Sequence, residues 1–290
     1  MKGFPKIGFG TWLMGGDINP NPNNDDDKDI SAIKYAIKKG ILHIDTAKNY
    51  ANGKCEELVG EAIKGIAREK LFITTKVKPS DLDYDNFIKS CEDSLKRMGV
   101  AYIDLLYIHA PNENVPIEET ARAFNELLSR GVIRNVGLSN VTVETIQKYE
   151  RCLSQPVFAV QNQYNLIARE SQIKGVIDYC NKKKIHFIAW RPIRYSYPEA
   201  TDPYYGNNTF PIIDEMAKKY GKTNVQIAVK WLTQQEGVSI LFMSRDEKHV
   251  DEILETENWE LSKEDWKKLD KDFPLQKDKS FNAAGYFEIK

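Results

Sequence analysis

Residues 41–50 read ILHIDTAKNY, an apolar and β-prone run that ends at an aspartate and then turns polar. The pattern recurs at residues 71–76, LFITTK, and at residues 103–109, IDLLYIH, which end at a lysine and a histidine. None of these runs alternates cleanly between apolar and polar residues, which suits strands buried on both faces. A β/α barrel places its functional polar groups at the carboxyl ends of such strands. The three runs therefore predict a barrel.

Eight strand-length apolar runs lie along the chain, at residues 6–10, 41–45, 71–76, 103–109, 133–139, 159–164, 185–190 and 238–243. Amphipathic segments separate them; in the first, Ile30, Ile33 and Ile37 share one helical face and Gly40 is the stop. Strands joined through helices pair in parallel. We therefore predict an α/β fold, a (β/α)8 TIM barrel, with residues 1–290 forming a single domain. Two long loops, 15–29 and 191–210, follow strands and should lie at the C-terminal face of the barrel.

The composition gives no sign of a polyanionic partner. The chain has 41 basic and 42 acidic residues, a formal net charge of −1, so we expect no binding to nucleic acid or to an anionic membrane. Its four cysteines show no CxxC spacing, which favours reduced structural thiols. No run approaches the roughly 20 apolar residues of a membrane span. We expect a cytoplasmic protein, either a monomer or a weak homo-oligomer.

Four polar residues at predicted strand ends form the candidate catalytic group: Asp45, Tyr50, Lys76 and His109. Each alone has a structural explanation, as a helix cap, a loop aromatic, a solvated strand end or a core histidine. Together they follow strands two, three and four, which are neighbours in a barrel. A buried lysine needs an anion, which Asp45 can supply, and a cation beside a phenol lowers the phenol's pKa towards working pH. We therefore predict a site in which Tyr50 protonates an oxygen as hydride reaches carbon, while His109 donates to the same oxygen.

A metal site is the competing interpretation of these residues. His43 and Asp45 share one side of a predicted strand, and the chain has four histidines. However, the sequence contains neither an HxH pair nor an HExxH motif. We therefore expect no catalytic metal.

The chain resembles the aldo-keto reductase family along essentially its whole length. The resemblance rests on segments that occur in the family's order and spacing: IGFGTW (7–12), DTAKNYANGKCEELVGEAI (45–63), TTKV (74–77), LLYIHAP (105–111), GVIRNVGLSN (131–140) and QNQYNL (161–166). It implies the reduction of aldehydes or ketones to alcohols with hydride from NAD(P)H. Tyr50 is then the general acid, Lys76 and Asp45 are the charge pair that tunes it, and His109 orients the carbonyl.

The resemblance also implies a cofactor groove. In the family, residues at the positions of Ser139, Asn140 and Gln161 hydrogen-bond the nicotinamide carboxamide, and an aromatic at the position of Trp190 stacks on the ring. The absence of a GxGxxG motif argues against a Rossmann fold. The full expected set is Gly10, Thr11, Ser139, Asn140, Gln161, Trp190, Arg191, Ser244, Arg245, His249 and Glu252.

The chain departs from the family near the adenosine end of the groove. Phe242 and Met243 replace a proline and a lysine or glycine, and Ile253 stands where asparagine is common. Arg245 matches a basic position found in part of the family and could pair with a 2′-phosphate. NADPH is therefore the expected cofactor, with NADH as the alternative. Arg191 would bring positive charge close to the pyrophosphate.

The substrate pocket is the least defined part of the prediction. Trp12, Tyr50 and His109 are the expected substrate contacts, with residues 195–205 and 282–290 as further walls. The expected substrate is a small-molecule carbonyl compound. A cofactor-binding redox sensor or channel-associated subunit with little turnover is the alternative function, and a metal-dependent barrel hydrolase is the third.

Overall fold

The structure is a computed structural model and describes residues 4–193 and 210–272. Its strands pair in parallel, in chain order, into one closed barrel: β1 Ile7–Gly10, β2 His43–Asp45, β3 Phe72–Val77, β4 Leu105–Ile108, β5 Val136–Ser139, β6 Ala159–Gln163, β7 His186–Trp190 and β8 Val238–Phe242. Seven of the predicted runs contain one of these strands, and β3 extends one residue beyond the predicted run 71–76, to Val77. The predicted (β/α)8 TIM barrel is confirmed.

Helices in the described residues surround the barrel. They are α1 Asp26–Lys38, α2 Lys54–Ile63, α3 Tyr84–Met98, α4 Ile117–Ser129, α5 Val143–Glu150, α6 Glu170–Ile173, α7 Val176–Lys183, α8 Pro211–Tyr220, α9 Asn224–Thr233, α10 Glu247–Leu254 and α11 Lys263–Asp272. The outer faces of the strands pack against them in a continuous apolar core. The whole barrel thus serves as a frame for side chains at the strand ends.

The first long loop is shorter than predicted. Helix α1 begins at Asp26, because the side chain of Asp25 caps it by accepting from the backbone N–H of Lys28. Residues 26–29 of the predicted loop are therefore its first turn, whose acidic residues complement the helix dipole. Of the second predicted loop, residues 194–209 lie outside the described residues, as do the predicted pocket walls at 195–205 and 282–290.

Two glycines inside the barrel make room for large neighbours. A Cβ on Gly137 would lie 2.3 Å from the ring of Tyr107, and a Cβ on Gly8 would lie 2.5 Å from Nδ1 of His43. Both distances are far below a van der Waals contact, so neither position accepts a side chain without rearrangement. Tyr107 and His43 therefore fill the barrel interior, where both are fully buried.

The amino-terminal end of the barrel is closed by aromatic rings. Phe4 packs edge-on against His43 and Phe72, with ring centroids 5.2 Å apart in each case. Above this plug, Nε2 of His43 lies 3.1 Å from the hydroxyl oxygen of Thr74. Burial, together with the charge of Lys76, lowers the pKa of His43 to about 3, so the ring is neutral at physiological pH.

The described barrel runs from β1 to α11, and one domain over residues 1–290 stays a prediction. Within residues 4–193 and 210–272, no helix is both long enough and apolar enough to cross a membrane. All four cysteines are unpaired, and three of them are buried.

Candidate active site

The four predicted catalytic residues converge at the carboxyl end of the barrel. Asp45 is the last residue of β2, Lys76 lies within β3, His109 directly follows β4, and Tyr50 opens a short 3-10 turn, Tyr50–Gly53. The Tyr50 and His109 rings meet edge to face, with centroids 5.6 Å apart. Sequence reasoning placed these groups after neighbouring strands, and the structure brings them into one cluster.

The ammonium group of Lys76 has three hydrogen bonds and is completely buried. Its Nζ donates to Oδ1 of Asp45 at 2.5 Å, to the backbone oxygen of Thr46 at 2.9 Å and to the phenol oxygen of Tyr50 at 3.2 Å. The other carboxylate oxygen of Asp45 accepts from Nε2 of Gln161 at 2.9 Å. Since an ammonium has three N–H donors, all of them are used. The pair is therefore held in one geometry.

A strained turn fixes the position of Tyr50. The two residues that follow it, Ala51 and Asn52, have φ values of 45° and 49°, in the left-handed region. A hydrogen bond of 2.6 Å from the backbone N–H of Ala51 to the carbonyl oxygen of Asp17 ties this turn to the loop after β1. Left-handed backbone at non-glycine residues persists when its surroundings determine it, and such positions cluster at functional sites.

The pKa of Tyr50 differs from the sequence-based expectation. Burial raises it above the usual value, and this effect outweighs the opposing attraction of Lys76. The phenol is therefore protonated throughout the neutral pH range. The expected lowering left out the burial of the phenol ring, which disfavours the charged phenolate.

The charge pair beneath Tyr50 is ionised at neutral pH. Burial disfavours the ammonium, but Asp45 and Tyr50 outweigh burial and raise the pKa of Lys76. Burial raises the pKa of the Asp45 carboxyl, opposed by Lys76 and Gln161. A buried carboxylate and a buried ammonium in direct contact stabilise each other's charged forms.

Asn49 contacts the ring of His109 and bears on which ring nitrogen carries the proton, a contact that the sequence analysis missed. Burial, and then Lys76, lower the pKa of His109 to about 3, so its ring is neutral and carries one proton. Its Nδ1 lies 2.7 Å from Oδ1 of Asn49. With that oxygen as partner, Nδ1 carries the proton and Nε2 presents a lone pair. With the amide turned over, Asn49 donates to Nδ1 and Nε2 becomes the donor.

The residues expected to hold the carboxamide form one hydrogen-bonded chain. Asn140 donates to the backbone oxygen of His109 at 2.9 Å and accepts from Nε1 of Trp190 at 3.2 Å. The hydroxyl of Ser139 donates to the backbone oxygen of Gln161 at 2.8 Å. Asn140 has a φ of 57°, in the left-handed region that is unusual for a residue other than glycine. The structure thus brings these expected groups together beside the catalytic cluster.

The end of β1 lies against the same cluster. Gly10 pairs in register with Asp45, and the hydroxyl of Thr11 donates to the backbone oxygen of Asp45 at 3.1 Å. Trp12 follows and is partly exposed. The guanidinium of Arg191 lies 4.8 Å from the ring centroid of Trp12, on the expected substrate side.

The expected adenosine-end residues follow β8 in the chain. Arg245 donates from Nη2 to the backbone oxygen of Leu13 at 2.8 Å and from Nε to the carboxylate of Asp29. Nδ1 of His249 lies 3.1 Å from the hydroxyl oxygen of Ser244. Glu252 accepts from the hydroxyl of Thr223 at 2.5 Å, at the start of α9.

These residues fit a nicotinamide dinucleotide by the chemistry of their donors. A carboxamide offers one acceptor and two donors, and Ser139, Asn140 and Gln161 supply hydroxyl and amide groups that can meet both. A half-buried indole, Trp190, borders the same groups. An arginine at the far end suits a phosphate, because its fork of N–H donors matches phosphate oxygens.

The described residues contain no cluster of metal-ligand side chains. Within residues 4–193 and 210–272, no group of three or more histidine, cysteine, aspartate or glutamate side chains is placed to hold a metal ion. The histidine considered as a ligand, His43, instead contacts Thr74 inside the barrel.

Comparison with known proteins connects this site to a family. The model of the aldo/keto reductase family matches residues 6–272. The chain is 31% identical to the aldo-keto reductase YhdN of Bacillus subtilis, with 91% of this chain and 88% of that protein aligned. It is 34% identical to the glyoxal reductase of the same organism, over 82% of this chain and 81% of that protein.

A solved structure shares the architecture. The crystal structure of an aldo-keto reductase from Klebsiella pneumoniae in complex with NADPH superposes with a TM-score of 0.83 at 28% identity, covering 95% of this chain and 93% of that one. The relatives thus share both the barrel and the sequence pattern over nearly their full lengths.

Proposed function

Because the chain belongs to the aldo/keto reductase family and is a nicotinamide-dependent oxidoreductase that reduces aldehydes or ketones, we propose that Tyr50 is its proton donor. The observation that carries this role is the hydrogen bond from Nζ of Lys76 to the phenol oxygen of Tyr50 at 3.2 Å. As the ammonium can only donate, the phenol's own proton must point elsewhere. It is therefore available to an oxygen in the site.

When bound, NADPH supplies the hydride that the carbonyl carbon receives. The carbonyl oxygen then gains negative charge and takes the proton of Tyr50, whose raised pKa keeps that proton in place until it is needed. The phenolate left behind lies beside the Lys76 ammonium, and this contact stabilises it. Asp45 balances the ammonium before the transfer, so the buried site carries no excess charge at the start.

His109 orients the carbonyl in this proposal. Its neutral ring lies against Tyr50, and Nε2 donates to the carbonyl oxygen when the amide of Asn49 donates to Nδ1. A neutral donor suits this task because a charged imidazolium would compete with Tyr50 as the acid. Trp12 borders the expected substrate side, and Arg191 packs against its ring.

The residues proposed to hold NADPH are those implied by the family resemblance. They are Gly10 and Thr11 at β1, Ser139, Asn140, Gln161, Trp190 and Arg191 around the nicotinamide and pyrophosphate, and Ser244, Arg245, His249 and Glu252 at the adenosine end. The cytoplasmic location and the monomeric or weakly oligomeric state expected from the sequence stay predictions.

Replacing Tyr50 with phenylalanine tests the proton donor. Reduction of an aldehyde panel that includes glyoxal, followed by NADPH oxidation, should fall by roughly 100-fold or more, because positioned acid catalysis contributes about 10²–10⁴. NADPH binding, measured by quenching of tryptophan fluorescence, should change little. Tyr35→Phe is the matched control, because the Tyr35 hydroxyl contacts Asp251 and Lys39 at the surface helices α1 and α10 and their flanks, away from the catalytic four.

The variant tests the role of Tyr50, and the wild-type assay separates the reductase from the cofactor-binding sensor. Turnover that survives Tyr50→Phe unchanged would remove Tyr50 from the mechanism. A wild-type protein that binds NADPH but oxidises none of it with any carbonyl would instead favour the sensor.

A further inference from the structure

Asp29 is a buried carboxylate that the mechanism above does not use. It lies in the first turn of α1, and its side chain has no exposed surface. Its Oδ2 accepts from the backbone N–H of Gly15 and from the amide of Asn24, each at 2.8 Å, and its Oδ1 accepts from Nε of Arg245. A carboxylate removed from water needs such donors, because an unpaired buried charge is strongly destabilising. Asp29 therefore has a defined set of partners, one of which is a cation.

The guanidinium of Arg245 is held along one edge. Its Nε donates to Asp29 and its Nη2 donates to the backbone oxygen of Leu13 at 2.8 Å. These two N–H groups point the same way from the planar group, so together they fix its plane and direction. Leu13 reaches this position with a φ of 73°, an unusual conformation for a bulky residue. Its backbone is thus bent so that its carbonyl oxygen meets Arg245.

The opposite edge of Arg245 is left for a ligand. Among residues 4–193 and 210–272, Nη1 has no hydrogen-bond partner, and 31% of the side chain is exposed. Arg245 also lines a cavity of about 750 Å³ whose other walls are Leu13 and residues 16–25. An arginine uses its two terminal nitrogens as a fork that matches two phosphate oxygens. The fixed edge therefore directs the remaining fork outward.

We propose that Asp29 is a positioning residue for cofactor choice, which holds Arg245 so that its Nη1 edge receives the 2′-phosphate that distinguishes NADPH from NADH. This inference rests on the proposed function, in which Arg245 contacts the cofactor. A guanidinium that is already held in place loses less conformational entropy when the phosphate binds, so binding is tighter. The carboxylate itself is satisfied by three donors and lies on the far side of the guanidinium, which limits its repulsion of a phosphate.

Affinity measurements on Asp29→Asn test the proposal. The full-length protein is titrated by calorimetry with NADPH, with NADH and with adenosine 2′,5′-bisphosphate. The dissociation constants for NADPH and for the bisphosphate should rise roughly tenfold, the size expected for losing one charge-assisted hydrogen bond. The dissociation constant for NADH should change less than about twofold, because its ribose carries no phosphate. Asp27→Asn is the matched control, since it removes the same charge from an exposed side chain in the same first turn of α1.

A second variant keeps the test decisive if Asp29→Asn fails to fold. Arg245→Lys retains the positive charge, but an ammonium cannot be held on one edge while it presents another. It should therefore lose the preference for NADPH by a similar factor. If the lysine variant keeps that preference, charge alone suffices and the proposal is wrong. If Asp29 acts through Arg245, it has no effect on cofactor choice once the arginine is gone. The double variant Arg245→Gln with Asp29→Asn should therefore have the same ratio of NADPH and NADH dissociation constants as Arg245→Gln alone.

The remaining outcomes also decide the question. Tighter NADPH binding by Asp29→Asn would mean that the carboxylate repels the phosphate, and equal weakening of NADPH and NADH would mean a purely structural role; either overturns the proposal. The titrations require no turnover. A failure of Tyr50 as proton donor would therefore appear in the kinetics of Tyr50→Phe and leave these constants unaffected.

Discussion

Nζ of Lys76 lies 3.2 Å from the phenol oxygen of Tyr50 and 2.5 Å from the carboxylate of Asp45, with no exposed surface on the lysine side chain. The lysine thus connects a neutral acid to a charged base. It also couples the stability of the folded state to Asp45 and Lys76 together, because neither charge can be removed alone without leaving the other unpaired.

Removing the ammonium should reduce stability as well as activity. Lys76→Met leaves the Asp45 carboxylate buried without its cation, which should lower the free energy of unfolding by about 3–5 kcal/mol. Adding Asp45→Asn should restore much of that stability, since the unpaired charge disappears, while carbonyl reduction stays lost. Urea denaturation and NADPH oxidation assays measure the two properties separately. A double variant no more stable than Lys76→Met would show that the pair is not coupled.

The orientation of the Asn49 amide should set the pH dependence of the reaction. Asn49→Asp replaces an amide with a group that only accepts at neutral pH, so the proton of a neutral His109 must stay on Nδ1 and Nε2 loses its donor. The new carboxylate also raises the pKa of His109 from about 3.

Below its new pKa, His109 of the aspartate variant carries both protons and donates again through Nε2. The rate of carbonyl reduction should therefore fall with rising pH in the variant, while the wild type stays flat across the same range. Profiles of kcat/KM against pH with one aldehyde check this. A uniform loss at every pH would contradict the role assigned to Asn49.

Two neutral histidines with lowered pKa values, one buried and one half-buried, should make the fold sensitive to acid. Burial lowers the pKa values of His43 and His109 to about 3, whereas the unfolded chain binds a proton on each near pH 6.5. Between these values the unfolded state holds more protons, so stability falls as the pH falls through this window. Going from pH 7 to pH 5, each histidine should cost about 2 kcal/mol of unfolding free energy.

Urea denaturation of His43→Gln at the same two pH values isolates one of these contributions. The variant should lose about 2 kcal/mol less than the wild type between pH 7 and pH 5, because glutamine does not titrate. His249→Gln serves as the control, as His249 lies outside the barrel on α10. Equal losses in the wild type and His43→Gln would refute the contribution of His43.

The close approach of Gly137 to Tyr107 predicts a size limit within the barrel. Gly137→Ala places a Cβ 2.3 Å from the tyrosine ring and should lower the free energy of unfolding by about 1–3 kcal/mol, as overpacking does. Combining it with Tyr107→Leu should cost less than the sum of the two single changes. Chemical denaturation of the four proteins completes the cycle, and strict additivity would show that the contact is relieved elsewhere.

Much of the fold can be predicted from the sequence, because strands buried on both faces produce short, continuous apolar runs. Every apolar run coincides with a strand to within a few residues, and a parallel barrel then requires Asp45, Lys76 and His109 to meet at one end. Contacts between side chains that are far apart in the sequence leave no such pattern. Arg245 and Asp29 are 216 residues apart, and nothing local in either segment indicates that they form an ion pair.

The direction of the pKa shift of Tyr50 also could not be predicted from the sequence. The pattern identifies a lysine close to Tyr50, which alone would lower the pKa of the phenol. The pKa of Tyr50 is instead raised by burial, which is a property of the assembled barrel. Asn49 adjoins Tyr50 in the chain, yet its contact with His109 requires the turn that only the folded structure supplies.

The loop after β1 touches both ends of the reaction machinery. Its Leu13 carbonyl receives Arg245, and four residues later its Asp17 carbonyl receives the N–H of Ala51 beside Tyr50. Exchanging this loop to alter coenzyme use would therefore also change the contact that holds the turn of Tyr50. We expect such an exchange to shift the proton donor as well. Selection for a new coenzyme should yield substitutions in the loop together with compensating changes in the Tyr50–Gly53 turn.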